Sequence, residues 1–286
     1  MNACANASLD VAQLVYLYDG TLEGMLTAVF EAFSRKEQPL NIVEEQHLQQ
    51  SLLYSYIPIA TDLNKAERVK NGISTTLGNA RYESIKQVFL SDDDKKGGVI
   101  SDYLLYTMRK GRRSCSHLAH PAVAAFEDIH KQVSLEAHYM LMFVRFAQLE
   151  NGVFFSRITP KASVVPLIMG HFADRFNVQP FIIYDDAHGL AGVFDTEQWW
   201  LVDARDITVS SQTEAEDEFQ FLWQTFFDTI AIAERCNPTC QRNFMPKRFW
   251  GNMCEQIPPQ LRNRRPKAVT PTEAAQIAAR QLPAAI

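Results

Sequence analysis

The chain lacks any apolar run approaching the roughly 20 residues that a membrane-spanning helix needs. Hydrophobic residues still make up 47% of its 286 positions, enough for a folded core. It also lacks an excess of positive charge: 28 Lys and Arg against 33 Asp and Glu give a formal net charge of −5. Such a protein is not coated in basic surface, so any contact with nucleic acid has to come from a local patch. Cysteine is scarce and odd in number, with Cys4, Cys115, Cys236, Cys240 and Cys254 scattered along the chain. That set reads as free thiols in a reducing compartment rather than as a disulfide framework. The opening MNACANASLD has neither the basic nor the apolar region of a secretory signal, and a cytoplasmic location is the expectation.

Catalytic signatures are missing as well. The sequence holds no Walker A loop, no G-x-S-x-G and no H-E-x-x-H, the patterns that cradle phosphates, expose a serine nucleophile or bind a catalytic zinc. The H-x-E…P-C-x-x-C pattern of zinc deaminases is absent too. Cys236 and Cys240 have the first spacing of the C-x-x-x-C-x-x-C cluster of radical SAM enzymes, but position 243 is Asn. With no C-x-x-C and no nearby His, no metal site is expected, and no cofactor either.

What is present is a segment of interleaved chemistry. Cys240-Gln-Arg-Asn-Phe-Met-Pro-Lys-Arg-Phe-Trp250 sets Arg242, Lys247 and Arg248 among Phe244, Phe249 and Trp250. Cations neutralise phosphates and aromatic faces stack on unpaired bases, which makes Arg242, Lys247, Arg248, Phe249 and Trp250 candidates for nucleic-acid contact. The competing reading is that Met245, Phe249 and Trp250 dock a terminal helix, begun at Pro246, onto the core while the cations stay solvated.

The fold class expected is α+β, with a mainly helical N-terminal half and a C-terminal antiparallel sheet. Val15–Tyr18 reads as a strand turned by Asp19-Gly20-Thr21 into a helix bearing Leu22, Met25, Leu26, Val29, Phe30 and Phe33 at helical spacing. Residues 55–61 read as a second strand kept at an edge by Pro58, and 64–133 as mostly helical. Residues 142–149 and 153–158 flank Asn151-Gly152, the strongest hairpin signal in the chain. A helix over 164–176 and a meander of 181–184, 191–194 and 199–202 follow. Residues 214–235 form the clearest helix, expected to bury Phe219, Leu222, Trp223, Phe226, Phe227 and Ile230. We expect a single domain over 14–255 and, over 256–286, a basic, Pro-rich tail with a short alanine-rich helix at 272–282.

Tyr18-Asp-Gly-Thr-Leu-Glu-Gly24, Leu135-Glu-Ala-His138, Phe143-Val-Arg-Phe146, His171-Phe-Ala-Asp-Arg-Phe176 and Asn243-Phe-Met-Pro-Lys-Arg-Phe-Trp250 occur in that order. Together they resemble a bacterial family of DNA metabolism or repair proteins built on a domain of unknown function. Members of that family are typically encoded beside a radical SAM protein, and a related domain is fused to uracil-DNA-glycosylase-like domains. The resemblance spans about Val15 to Glu255. It implies DNA as the nucleic acid and a radical SAM protein as partner. Cys236 stands where the family often carries a basic residue, so the resemblance gives that thiol no role.

Other residues invite a site. His171 and Arg175 lie one helical turn apart on a shared face; with Arg145 they would grip an anion, or else they border an apolar stripe. Asp19 and Glu23 are a carboxylate pair for metal or acid–base chemistry, or simply helix-start polarity. His138 and His171 complete the catalytic candidates. Three functions follow: an accessory protein of DNA repair or modification that binds nucleic acid, a non-catalytic protein-binding scaffold, or an enzyme acting on a nucleobase or nucleotide.

Overall fold

The computed structural model describes residues 13–45, 53–205 and 212–257. Contacts divide the chain into two compact units, Met1–His138 with Lys161–Val164, and Tyr139–Pro160 with Val165–Ile286. The expected tail from position 258 onward, with its alanine-rich segment, lies outside the described residues. No helix among those described is long and apolar enough to cross a membrane.

The first unit is built on a small parallel sheet. Strand β1 (Gln13–Tyr18) runs between β2 (Asn41–Glu44) and β3 (Tyr54–Pro58), parallel to both. Its run Val15-Tyr-Leu-Tyr18 is buried throughout, as a central parallel strand covered on both faces must be. Pro58 closes β3 at the sheet edge, where its missing N–H costs no ladder bond. Helix α1 (Leu22–Arg35) buries Met25, Leu26, Ala28, Val29 and Ala32, the stripe set by its helical periodicity. Four further helices follow: α2 (Leu63–Thr76), α3 (Asn79–Phe89), α4 (Lys96–Lys110) and α5 (Pro121–Phe143). The helical character of this half is as expected. The parallel sheet is the addition, because β2 is only four residues long and carries no turn signal of its own.

The second unit holds a five-stranded sheet in the order β4 (Ala147–Gln148), β5 (Phe154–Ile158), β6 (Phe181–Asp185), β7 (Leu190–Phe194) and β8 (Trp199–Asp203). It is mixed rather than antiparallel: β5 and β6 run parallel, and the other pairs are antiparallel. The cause lies in the connection. Helix α6 (Val165–Arg175) joins β5 to β6, and such a crossover brings the chain back in the same direction. The β6–β7–β8 meander is as expected. The hairpin is shorter than expected, because α5 continues through Phe143 and leaves only two residues for β4. Its turn holds, with Gly152 at a φ of 80° that side-chain-bearing residues rarely adopt. Phe146 meets Phe172, Phe176 and Phe181 edge-on, with ring centroids 5.0–5.4 Å apart.

Helix α7 (Glu214–Ile230) forms where expected, five residues shorter, with Thr213 capping it through an Oγ that accepts from the Glu216 N–H. Its expected burial is overturned for five of the six residues named, and Phe227 is only half-buried. Phe219, Leu222, Trp223, Phe226 and Ile230 are exposed, Phe219 by 69%, and the buried residue is Gln224, whose amide donates to the Cys254 carbonyl at 3.0 Å. Periodicity fixes which residues share a face, but it does not say that the chain itself provides a cover. Helix α8 (Pro238–Phe244), capped by Asn237, and 3₁₀ turns at Lys247–Asn252 and Cys254–Gln256 end the described chain.

Candidate functional site

The basic-aromatic segment is split between α8 and the turn that follows Pro246. Arg242 is exposed on α8, and its guanidinium donates back to the Pro238 carbonyl at 3.0 Å and the Thr239 hydroxyl at 3.3 Å. Lys247 and Arg248 are exposed at the start of the 3₁₀ turn. Phe249 points the other way: it is buried, with ring centroids 5.3 Å from Tyr139 and 5.2 Å from Phe143. Trp250 is half-buried, and its indole N–H donates to the Met245 carbonyl at 3.0 Å. The cations rest on these anchored rings. Arg248 sits 4.0 Å over Phe249 and Lys247 5.8 Å over Trp250, within cation–π range. The exposed ring of the segment is Phe244. For Lys247 and Arg248, interleaving in sequence therefore becomes layering in space, with Trp250 and Phe249 below and charge above.

Arg145, His171 and Arg175 do meet on one cleft of about 380 Å³, with Phe146, Phe154, Phe172 and Phe176 as its apolar walls. His171 and Arg175 reach it from α6, exposed as a residue pair at this spacing can be. Arg145 is committed elsewhere. Its Nε and Nη2 donate to Glu255 Oε1 at 3.1 and 2.8 Å, and its Nη1 donates to the carbonyls of Met142 and Val144. Its charge is thus largely balanced by Glu255, and the cleft's uncompensated polarity comes from α6. His138 is exposed on α5, in the other unit.

Asp19 holds the loop ends of the first unit together. Its Oδ1 accepts from the Thr21 N–H at 3.0 Å and hydroxyl at 2.6 Å, and its Oδ2 accepts from the Thr61 hydroxyl at 2.7 Å. Burial pushes its pKa up, but the hydrogen bonds from Thr21 and Thr61 outweigh this and hold it below its ordinary value. The cap of α1 is Thr21, whose Oγ accepts from the Gly24 N–H, and Glu23 is exposed in the first turn. Sequence reading missed the neighbours of this corner. Glu44, at the end of β2, accepts from the Tyr18 hydroxyl at 3.2 Å and pairs with Lys96 at 3.2 Å. Only the parallel register, invisible in the sequence, brings Glu44 beside β1. Among the described residues no three His, Cys, Asp or Glu side chains are grouped so as to hold a metal ion.

The cysteines differ sharply in access. Cys236 and Cys240 are exposed, Cys115 is buried and Cys254 is half-buried. Burial, reinforced by the adjacent Glu255, pushes the Cys254 thiol up to about 11, so it is protonated and a poor nucleophile at neutral pH. Iodoacetamide applied to the native protein at pH 8 is expected to modify Cys236 and Cys240 and to spare Cys115 and Cys254. Mass spectrometry reads this directly, and equal labelling of Cys254 would show that the closing turn is open in solution.

Fold and surface together define an α+β protein with a short cationic ledge carried on one buried and one half-buried aromatic ring. Its sequence matches the model of DUF4130, a domain of unknown function, over residues 94–255. That is more than half of the chain, and the chain belongs to this family. No curated protein matches it.

Proposed function

We propose that this protein is an accessory factor in DNA repair or modification that binds nucleic acid through Arg242, Lys247 and Arg248 and partners a radical SAM protein. The observation that carries the contact surface is the layering of Lys247 and Arg248 on Trp250 and Phe249. Cations held this way lose less freedom on meeting a phosphate than solvated ones would. Phe249 acts from beneath by holding Arg248, and Trp250 by holding Lys247. A local ledge also suits a chain whose net charge is −5, because the molecule's overall field repels a polyanion. Arg175 and His171 offer a second anion contact in their cleft, while Arg145 supports it from within. The DNA context and the radical SAM partner come from the family resemblance.

The test is fluorescence anisotropy with single-stranded, duplex and uracil-containing DNA and with RNA, across a salt series. Replacing Lys247 and Arg248 with Ala is expected to weaken binding and to flatten the log–log salt slope by roughly 1.8, about 0.9 per lost phosphate contact on a duplex. Unchanged affinity and slope in the double variant would remove the ledge from the binding surface. A second reading, a protein-binding scaffold, is favoured by the exposed apolar face of α7. No binding to any nucleic acid at low salt, with a tight complex to the radical SAM protein, would establish that reading instead.

A further inference from the structure

Strand β8 ends the five-stranded sheet, and among the described residues no strand lies on its outer side. Edges of this kind are usually blunted by lysine, proline or a bulge. This one reads Trp199-Trp-Leu-Val-Asp203 and has a charge only at its end. Trp199, Trp200, Leu201 and Val202 are each 39–40% exposed, so both faces of the edge carry uncovered apolar area.

The ladder to β7 fixes which backbone groups are open. Leu201 pairs with Gly192 and Val202 with Ala191. In the same register the Ala204 N–H donates to the Gly189 carbonyl and the Asp195 N–H to the Gln198 carbonyl. Pairing groups alternate along an antiparallel strand. Residues 198, 200, 202 and 204 therefore turn their N–H and C=O toward β7, and Trp199, Leu201 and Asp203 turn theirs outward.

We propose that β8 pairs with β8 of a second copy of this chain, antiparallel about a two-fold axis at Leu201, joining two five-stranded sheets into one. That register sets Leu201 opposite its own copy and Trp199 opposite Asp203. All three present outward N–H and C=O groups, so the open hydrogen bonds close reciprocally, as an isologous contact requires. On the other face Trp200 stands opposite Val202, twice. The flanking charges agree. Glu197 sits in the turn that enters β8, its N–H held by Asp195, and Arg205 lies just past the strand, exposed and 3.5 Å from Asp203, so the register brings the acidic entry of each strand near the basic exit of the second copy. A shift of one residue breaks the hydrogen-bond parity, and a shift of two takes Leu201 off the two-fold axis and draws the oppositely charged strand ends apart. The strand alone is small beside the ~1,200 Å² of a stable interface, so the dimer forms in a concentration-dependent way.

Sedimentation velocity of the full chain from low to high micromolar concentration is expected to show a monomer passing to a dimer. Leu201→Pro should abolish the dimer and leave the fold intact, because the N–H it removes faces away from β7. Glu197→Arg, which leaves the strand untouched, should weaken association roughly tenfold by turning two attractive contacts repulsive. Adding Arg205→Glu to that variant should restore it. A wild-type protein that is monomeric at every concentration overturns the proposal. So does a dimer that survives Leu201→Pro, or a charge-swapped double variant no tighter than Glu197→Arg alone.

Discussion

Arg145→Ala is expected to lower the unfolding free energy of the protein by about 2–4 kcal/mol, read from denaturant titration. The reason is the position of Glu255. Its side chain is 3% exposed and receives two hydrogen bonds from the Arg145 guanidinium, which is itself 35% exposed. Breaking a buried pair by deleting one member typically costs about 3–5 kcal/mol, since the surviving charge stays out of water without its counterion. The partial exposure of Arg145 lowers the expectation by about 1 kcal/mol from that range. The same guanidinium donates to the Met142 and Val144 carbonyls, so it also fixes the chain where α5 ends. Adding Glu255→Gln to Arg145→Ala should recover part of the loss, because no buried carboxylate deprived of the Arg145 cation then remains. A single-variant loss below about 0.5 kcal/mol, the range of ordinary surface changes, would refute the pair's structural role. A fall in ligand binding on Arg145→Ala consequently reports the integrity of the cleft before it reports a contact.

Gly97→Ala should be similarly damaging, against the trend for its residue type. In an exposed helix interior Gly→Ala stabilises by about 1 kcal/mol. At Gly97 a Cβ would stand 2.0 Å from the Ile42 carbonyl oxygen, so α4 would have to move off the β2 backbone. Overpacking against backbone costs about 1–3 kcal/mol or more, and the net expectation is a loss of about 2 kcal/mol. Gly170→Ala supplies the contrast. That glycine is exposed within α6, and its Cβ would meet nothing within 4 Å. It should raise stability by about 0.5–1 kcal/mol. Thermal melts of the two variants should shift in opposite directions, and shifts of the same sign would contradict the packing described for α4.

Local chemistry made much of this fold legible. Asp19-Gly20-Thr21 announced the β1–α1 turn, Asn151-Gly152 the β4–β5 turn, and the alternating short strands the β6–β7–β8 meander. What failed were features set by distant residues. The parallel pairing of β5 with β6 was in principle readable, since a helical pattern lies between them, and a helix between two neighbouring strands implies a crossover. Strand β2 was not readable, because its four residues gain strand identity only beside β1. The candidate site divides in the same way. Spacing alone put His171 and Arg175 on one face, and the structure brings Arg145, named with them from the sequence, to the same cleft. The burial of Phe249 depends on Tyr139 and Phe143, about a hundred residues earlier, and no local pattern carries that information. The exposed apolar face of α7 shows the limit most clearly, since amphipathicity identifies a face without identifying its cover.

The packing of α4 has a consequence for what counts as a module. The stretch shared with the family begins at Asp94, two residues before α4. Yet the first turn of that helix lies against Ile42 and Asn41, in a strand outside the shared stretch. The stretch matched to the family and the packing around α4 thus have different borders. A fragment trimmed to the recurring segment would carry α4 without the backbone that its two glycines were shaped to meet, and heredity is the wrong guide to where this chain can be cut.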